Sequence, residues 1–182
     1  MDLSDLTVRF LDITDIPLLL DLQEAVFDRL ENPDFLRKNT CDTFEFCFRR
    51  PHFIPGVFAG KDLIAVSIFV DAAGTEEDLR PCLRNYTCIR PIQWKLVLVH
   101  PNHRGFGLQL SLFRLCKNLI LDHGYTEILA TVDPENRHSY DNVIRIGMKE
   151  DHREIKYGGL YRAVMILHLN TGDSPMPAQN KR

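Results

Sequence analysis

The sequence predicts one domain of mixed α/β (α+β) class, and three observations predict it. An apolar run, "IQWKLVLV", leads through the glycine-bearing "HPNHRGFGLQL" directly into an amphipathic helical pattern. Two further pairs of strand-like segments, at 56–71 and 148–169, are each joined at a short glycine turn, as hairpins are. The 182 residues are 45% hydrophobic and 26% charged, which suits a single ordinary core.

Taken in order, "TVRFL" alternates like a half-exposed strand. In "DITDIPLLLDLQEAVFDRL" Thr14 or Asp15 serves as N-cap and Pro17 sits in the first turn of a helix. "NPDFLRKNTCDTFEFCFRRP" has a weaker helical pattern that Pro51 closes. From Ala72 to Pro91 no period is clear; Thr75 with Asp78 would make a capping box for a short helix that Pro81 cuts off. "QWKLVLVH" is apolar on both faces except at Lys95, the pattern of a central strand covered on both sides. Leu108, Leu112, Leu115 and Leu119 then recur at helical spacing, with Gly124 at the C-cap. The strand "EILATV", a turn at Asp133 and Pro134, a short helix from Asn136 and two last strands complete the domain, residues 1–170. Residues 171–182, "TGDSPMPAQNKR", are expected to be a disordered tail.

Charge and composition exclude several classes. A formal charge of -3 with no basic patch argues against nucleic acid. No apolar run approaches the length of a bilayer span, and the N-terminus has no basic segment followed by an apolar one, so a cytoplasmic protein with no membrane partner is expected. The five cysteines contain no C-x-x-C and read as reduced, packed thiols, with no metal site.

The chemistry concentrates in "HPNHRGFGLQL". Where a strand passes through a glycine turn into a helix, backbone N–H groups of the first turn lack internal partners, and the helix dipole favours an anion there. Gly105 and Gly107 would let the backbone approach a phosphate closely, and Arg104 would add charge-assisted bonds, so a pyrophosphate is the expected guest. The chain has no G-x-x-x-x-G-K-[ST], and "GFGLQL" lacks the third glycine of G-x-G-x-x-G, which argues against nucleotide hydrolysis and nicotinamide binding.

"LVLVHPNHRGFGLQLSL" resembles the acyl-CoA-binding motif of the GNAT superfamily of N-acetyltransferases, in which a central strand ending V-x-P leads to [QR]-x-x-G-x-[GA] at a helix start. Arg104 and Gly107 match; Gln109 stands where the family has a small residue. "ATVDPENRHSYDNVIRIGMKE" is similar to the family's later motif, through Asn136, Ser139, Gly147 and Met148. The resemblance covers residues 7 to 169 and implies a mixed, mostly antiparallel, twisted central sheet flanked by helices. It also implies that acetyl-CoA is the co-substrate, that Val97, Leu98 and Val99 hold the pantetheine arm, and that Arg104, Gly105, Phe106, Gly107, Leu108 and Gln109 hold the pyrophosphate. Asn136 and Ser139 would lie on the far side of the arm.

The implied reaction is direct attack of a neutral amine on the thioester, with the acceptor an amine-bearing small molecule, an amino acid or a peptide. A family tyrosine that protonates the leaving thiolate corresponds to Val143 here; Tyr140, one turn earlier, is the substitute candidate. Base candidates are His100, Glu135, Asp71, Glu76, Glu77 and Asp133, and the run Glu76–Asp78 would draw in a cationic amine. Among them His100 and Glu135, with Tyr140, form the expected catalytic set. A homodimer through strand edges is compatible with an open sheet. The competing reading is a catalytically weak GNAT-like module that binds acyl-CoA as a sensor or interaction protein.

Overall fold

The computed structural model of the protein describes residues 6–84 and 90–169. Eight strands form one sheet: β1 (Leu6–Phe10), β2 (His52–Phe53), β3 (Pro55–Ala59), β4 (Asp62–Val70), β5 (Pro91–Val99), β6 (Glu127–Val132), β7 (Lys149–Lys156) and β8 (Leu160–His168). Their order is β1-β3-β4-β5-β6-β8-β7, with β2 also pairing β4. All pairs are antiparallel except β5 with β6. Four helices connect them: α1 (Ile16–Phe27), α2 (Cys41–Arg49), α3 (Leu108–Asp122) and α4 (Arg137–Arg145). A parallel pair needs a crossover, and α3 supplies it between β5 and β6. No helix among the described residues is long and apolar enough to cross a membrane.

The sheet is covered on both faces, and the strands alternate accordingly. Val66, Ile68 and Val70 of β4 and Leu96 and Leu98 of β5 pack with Leu19, Leu22, Val26, Phe44 and Cys47 of α1 and α2. On the other face Trp94 and Phe69 meet Phe113, Cys116 and Ile120 of α3, and Val143 of α4 joins Ala130 and Val132 of β6. Fully burying each large apolar side chain contributes roughly 1.5–3 kcal/mol, so the period-3.6 stripe of α3 anchors the helix whose start forms the site.

Local signals set the ends of these elements. Thr40 accepts a hydrogen bond from the N–H of Thr43 and so starts α2 eight residues later than the apolar pattern begins, the preceding Pro33–Phe35 being a single 3₁₀ turn. The helix expected after Thr75 does not form. The Thr75 hydroxyl donates to the carbonyl of Ala72, and only a 3₁₀ turn at Arg80–Cys82 follows. What holds this segment is Gln93 of β5, 6% exposed: its Oε1 accepts from the N–H of Leu79 at 2.6 Å and its Nε2 donates to the carbonyl of Glu77 at 2.8 Å. Cys47 and Cys116 are buried free thiols, while Cys41 is exposed and Cys82 half-buried. Cys88 and the expected tail, 171–182, lie outside the described residues.

Candidate active site

The site begins where two strands part. β5 pairs with β6 only through Pro91–Trp94, opposite Glu127–Ala130. Beyond Trp94 it keeps β4 alone, with Val97, Leu98 and Val99 opposite Ser67, Val66 and Ala65. The register slips at this point: Ile68 faces Leu96 and Phe69 faces Trp94, so Lys95 is an extra residue, a β-bulge that bends the strand. The bulge and the lost pairing open a cleft through the sheet. Trp94, Val97, Gln109, Ser139 and Val143 line it from the α3–α4 face, and Arg37, Glu77, Lys95, Thr131 and Tyr157 from the α1–α2 side.

At the end of β5 the chain makes a 3₁₀ turn over Pro101–His103 and enters α3 through Gly105 and Gly107, with φ of 85° and 71°. A Cβ at either glycine would meet nothing within 4 Å, so backbone conformation selects glycine there and the space beside it is open. Gly107 is the N-cap and offers no side-chain acceptor. None of the N–H groups of residues 105–110 donates to another described residue. Arg104 and Phe106 are solvent-exposed at the rim. N–H groups without a partner among the described residues, at the positive end of a 15-residue helix, suit an anion. Gln109, just inside, accepts a hydrogen bond from Asn142 Nδ2 at 2.9 Å, while its own Nε2 is buried without a partner.

The opposite side of the cleft is a charged cluster. Arg37 spans Glu77 with bonds of 2.8 and 3.0 Å, and Lys95 donates to the same carboxylate at 2.7 Å. Burial alone would push the Glu77 carboxyl up, but the hydrogen bonds from Arg37 and Lys95 outweigh it and hold it below the usual carboxylate range. Beside them Arg37 stacks on the Tyr157 ring at 4.3 Å, and the Tyr157 hydroxyl lies 3.1 Å from Thr131 Oγ1. Tyr157 is the only non-glycine with positive φ, 51°, among the described residues. The hairpin thus holds an unfavoured left-handed conformation at this tyrosine. Burial raises its phenol above the ordinary value, so it keeps its proton. Arg162, 4% exposed, reaches Asp133 at 3.1 Å and the carbonyl of Asp34 at 2.6 Å.

The residues singled out in sequence fall into two groups. Val97, Gln109 and Ser139 line the cleft, and Arg104, Gly105, Phe106, Gly107 and Leu108 form the turn into α3 immediately before Gln109. Leu98 turns its side chain into the α1–α2 core, and Val99 turns toward Leu108 and Leu112. Asn136 caps α4 by accepting from the N–H of Ser139 at 3.3 Å. The expected catalytic set is not brought together. Tyr140 donates its hydroxyl proton to Glu150 at 2.7 Å, and this bond raises its phenol pKa. His100 Nδ1 accepts from the N–H of Asn102 at 3.3 Å with its ring against His103, and Glu135 is exposed; none of the three lines the cleft. Arg37, Lys95, Thr131, Tyr157 and Arg162, not anticipated as site residues, do line it.

No family model matches the sequence, and no curated protein sequence does. Solved structures match its fold. The yncA protein of Salmonella typhimurium, solved with its cofactor acetyl-CoA, aligns with a TM-score of 0.66 and 17% identity over 94% of this chain and 98% of its own. The ribosomal-protein-S18-alanine N-acetyltransferase of Escherichia coli aligns at 0.67 and 15%, over 97% and 99%. The PaiA N-acetyltransferase of Thermoplasma acidophilum, in complex with coenzyme A, aligns at 0.64 and 13%, over 90% and 98%. The chain therefore has the GNAT fold, as its two motifs led us to expect.

Proposed function

We propose that the chain is an N-acetyltransferase that moves an acetyl group from acetyl-CoA to a primary amine of a small molecule, amino acid or peptide by direct attack. The observation that carries this reading is the parting of β5 from β6 directly beside the α3 cradle: one opening with an anion site on one face and a polar cluster on the other. Two substrates can then approach from opposite faces and meet within the sheet, which supplies the proximity the reaction needs. Bound acetyl-CoA in yncA and coenzyme A in PaiA support the donor.

The residues present suit that donor. The open N–H groups of 105–110 and Arg104 would bind the pyrophosphate, and the unpaired edge of Val97, Leu98 and Val99 would bond the amide groups of the arm. Gln109 replaces a small residue and leaves a buried donor, Nε2, at the cleft, so its side chain adds a bond that backbone alone would not make. Asn136 and Ser139 would close the far side. When bound, acetyl-CoA supplies the activated acyl group and a thiol leaving group. Tyr157 is our choice for proton donor, because it is the phenol in the cleft; Tyr140 is the alternative.

The experiment is release of free CoA thiol when the purified protein meets acetyl-CoA and a broad amine, amino-acid and peptide panel. Acceptor-dependent release supports the transferase. A CoA-binding module without turnover has its own supporting observation, since both carboxylates lining the cleft, Glu77 and Asp133, are occupied by cations. Stabilisation by CoA in a thermal melt without release for any acceptor would favour that second reading.

A further inference from the structure

The charge lining the cleft is the reverse of what the acidic run Glu76–Asp78 suggests. Glu77 is spanned by Arg37 and Lys95, and Asp78 is bound by Arg80 at 2.5–3.0 Å, which leaves Glu76 as the exposed member of the run. Around the cleft itself stand three cations, Arg37, Lys95 and Arg162, against two carboxylates, Glu77 and Asp133. Asp133 is taken up by Arg162 and by the N–H of Glu135 at 2.9 Å. One positive charge is in excess.

Lys95 is the centre of that excess. The bulge turns it into the cleft, its side chain is 7% exposed, and Glu77 Oε2 is its one hydrogen-bond acceptor among the described residues. An ammonium has three protons to give, so two have no acceptor among the described residues. Such a half-satisfied buried charge is costly, and a second anion would offset the cost.

Resting on the acetyltransfer reading, we propose that the acceptor is an α-amino acid or a close analogue, whose carboxylate is bound by Lys95 and Arg37. Its amine then points into the gap between β5 and β6, where the two substrates meet. A polyamine or simple alkylamine brings charge of the sign the site already has in excess and leaves Lys95 unmatched.

Trp94 is the one tryptophan of the chain and lines the cleft, so its fluorescence reports binding there without need of turnover. The full chain, saturated with CoA, is titrated with amino acids and the amines obtained by decarboxylating each. The expected result is at least one amino acid bound about tenfold or more tighter than its amine, with Lys95→Met bringing the ratio near one. Lys95→Met keeps Glu77 paired with Arg37; Arg37→Gln, expected to act in the same direction, serves if the first variant melts early. Ratios near one across the panel, tighter binding of the amines, or a ratio unchanged in both variants would overturn the proposal. The acetyltransfer reading fails separately, if an acceptor that binds releases no CoA thiol from acetyl-CoA.

Discussion

Gly107 holds a left-handed backbone at the start of α3, with open space where a side chain would go. Gly107→Ala should therefore cost about 1–2 kcal/mol of stability from backbone conformation alone, while CoA affinity changes little. Gly107→Glu adds a carboxylate over the cradle and should weaken CoA binding about a hundredfold or more. Melting curves and CoA titrations on both variants separate the effects, and normal CoA binding by a folded Gly107→Glu would show that the phosphates lie elsewhere. Tyr157 offers the matching test on the other side of the cleft. Removing its hydroxyl in Tyr157→Phe should lower turnover about 10²-fold or more if it is the proton donor, with CoA affinity unchanged. The same change at Tyr140 removes a hydrogen bond to Glu150 that lies outside the cleft; a fall in turnover there and none at Tyr157 would reverse the assignment.

At the scale of elements, the segment 72–84 holds only turns and one 3₁₀ turn, and Gln93 ties it to β5. Gln93→Leu would leave the N–H of Leu79 and the carbonyl of Glu77 unpaired, a cost of about 1–3 kcal/mol for each buried group. It should also loosen Glu77 and so disturb Arg37 and Lys95. Hydrogen exchange at Leu79 should then rise well above that of the β4–β5 ladder; unchanged protection at Leu79 would mean another contact holds the segment. The same contrast explains what could be read in advance. β5 and α3 were legible because each carries its period locally, and the glycine turn was legible because two glycines next to a helix start are a local signal; the buried stripe of α3, however, is Leu108, Leu112, Phe113, Cys116 and Ile120, and Leu115 of the expected leucine stripe faces solvent. The helix drawn after Thr75 failed because the Thr75 side chain bonds back to Ala72 in a turn. The polar half of the site had no such signal: Arg37 meets Glu77 across 40 residues and Arg162 meets Asp34 across 128, so only the folded topology assembles it. The parting of β5 from β6 depends on pairing, which no single segment encodes.

Across the whole molecule, shifted groups set how stability responds to pH. Asp15, Glu77, Asp78, Glu150 and Glu154 all have carboxyls held below their ordinary values of 3.8 or 4.5. Hydrogen bonds from Arg9, for Asp15, and Arg153, for Glu150, are the largest causes. At the other three, burial acts upward and bonds from neighbouring cations exceed it. Since the unfolded chain binds these protons first, this stability is present above the ordinary values and is lost as pH falls from them through the lower folded values. The thiols act in the opposite sense. Burial pushes Cys47 up to about 11 and Cys116 to about 12, from an ordinary 9.0. The folded state keeps protons there that the unfolded chain would release, so their contribution is complete below 9.0 and declines as pH rises toward 11 and 12. The melting temperature should therefore fall on the acid side below 4.5 and again on the alkaline side above 9.0. Replacing both Cys47 and Cys116 by alanine should lower the whole curve through lost packing, yet make the alkaline decline shallower, because two of the groups that drive it are gone. An alkaline arm as steep in the double variant as in the parent would show that the decline has other sources.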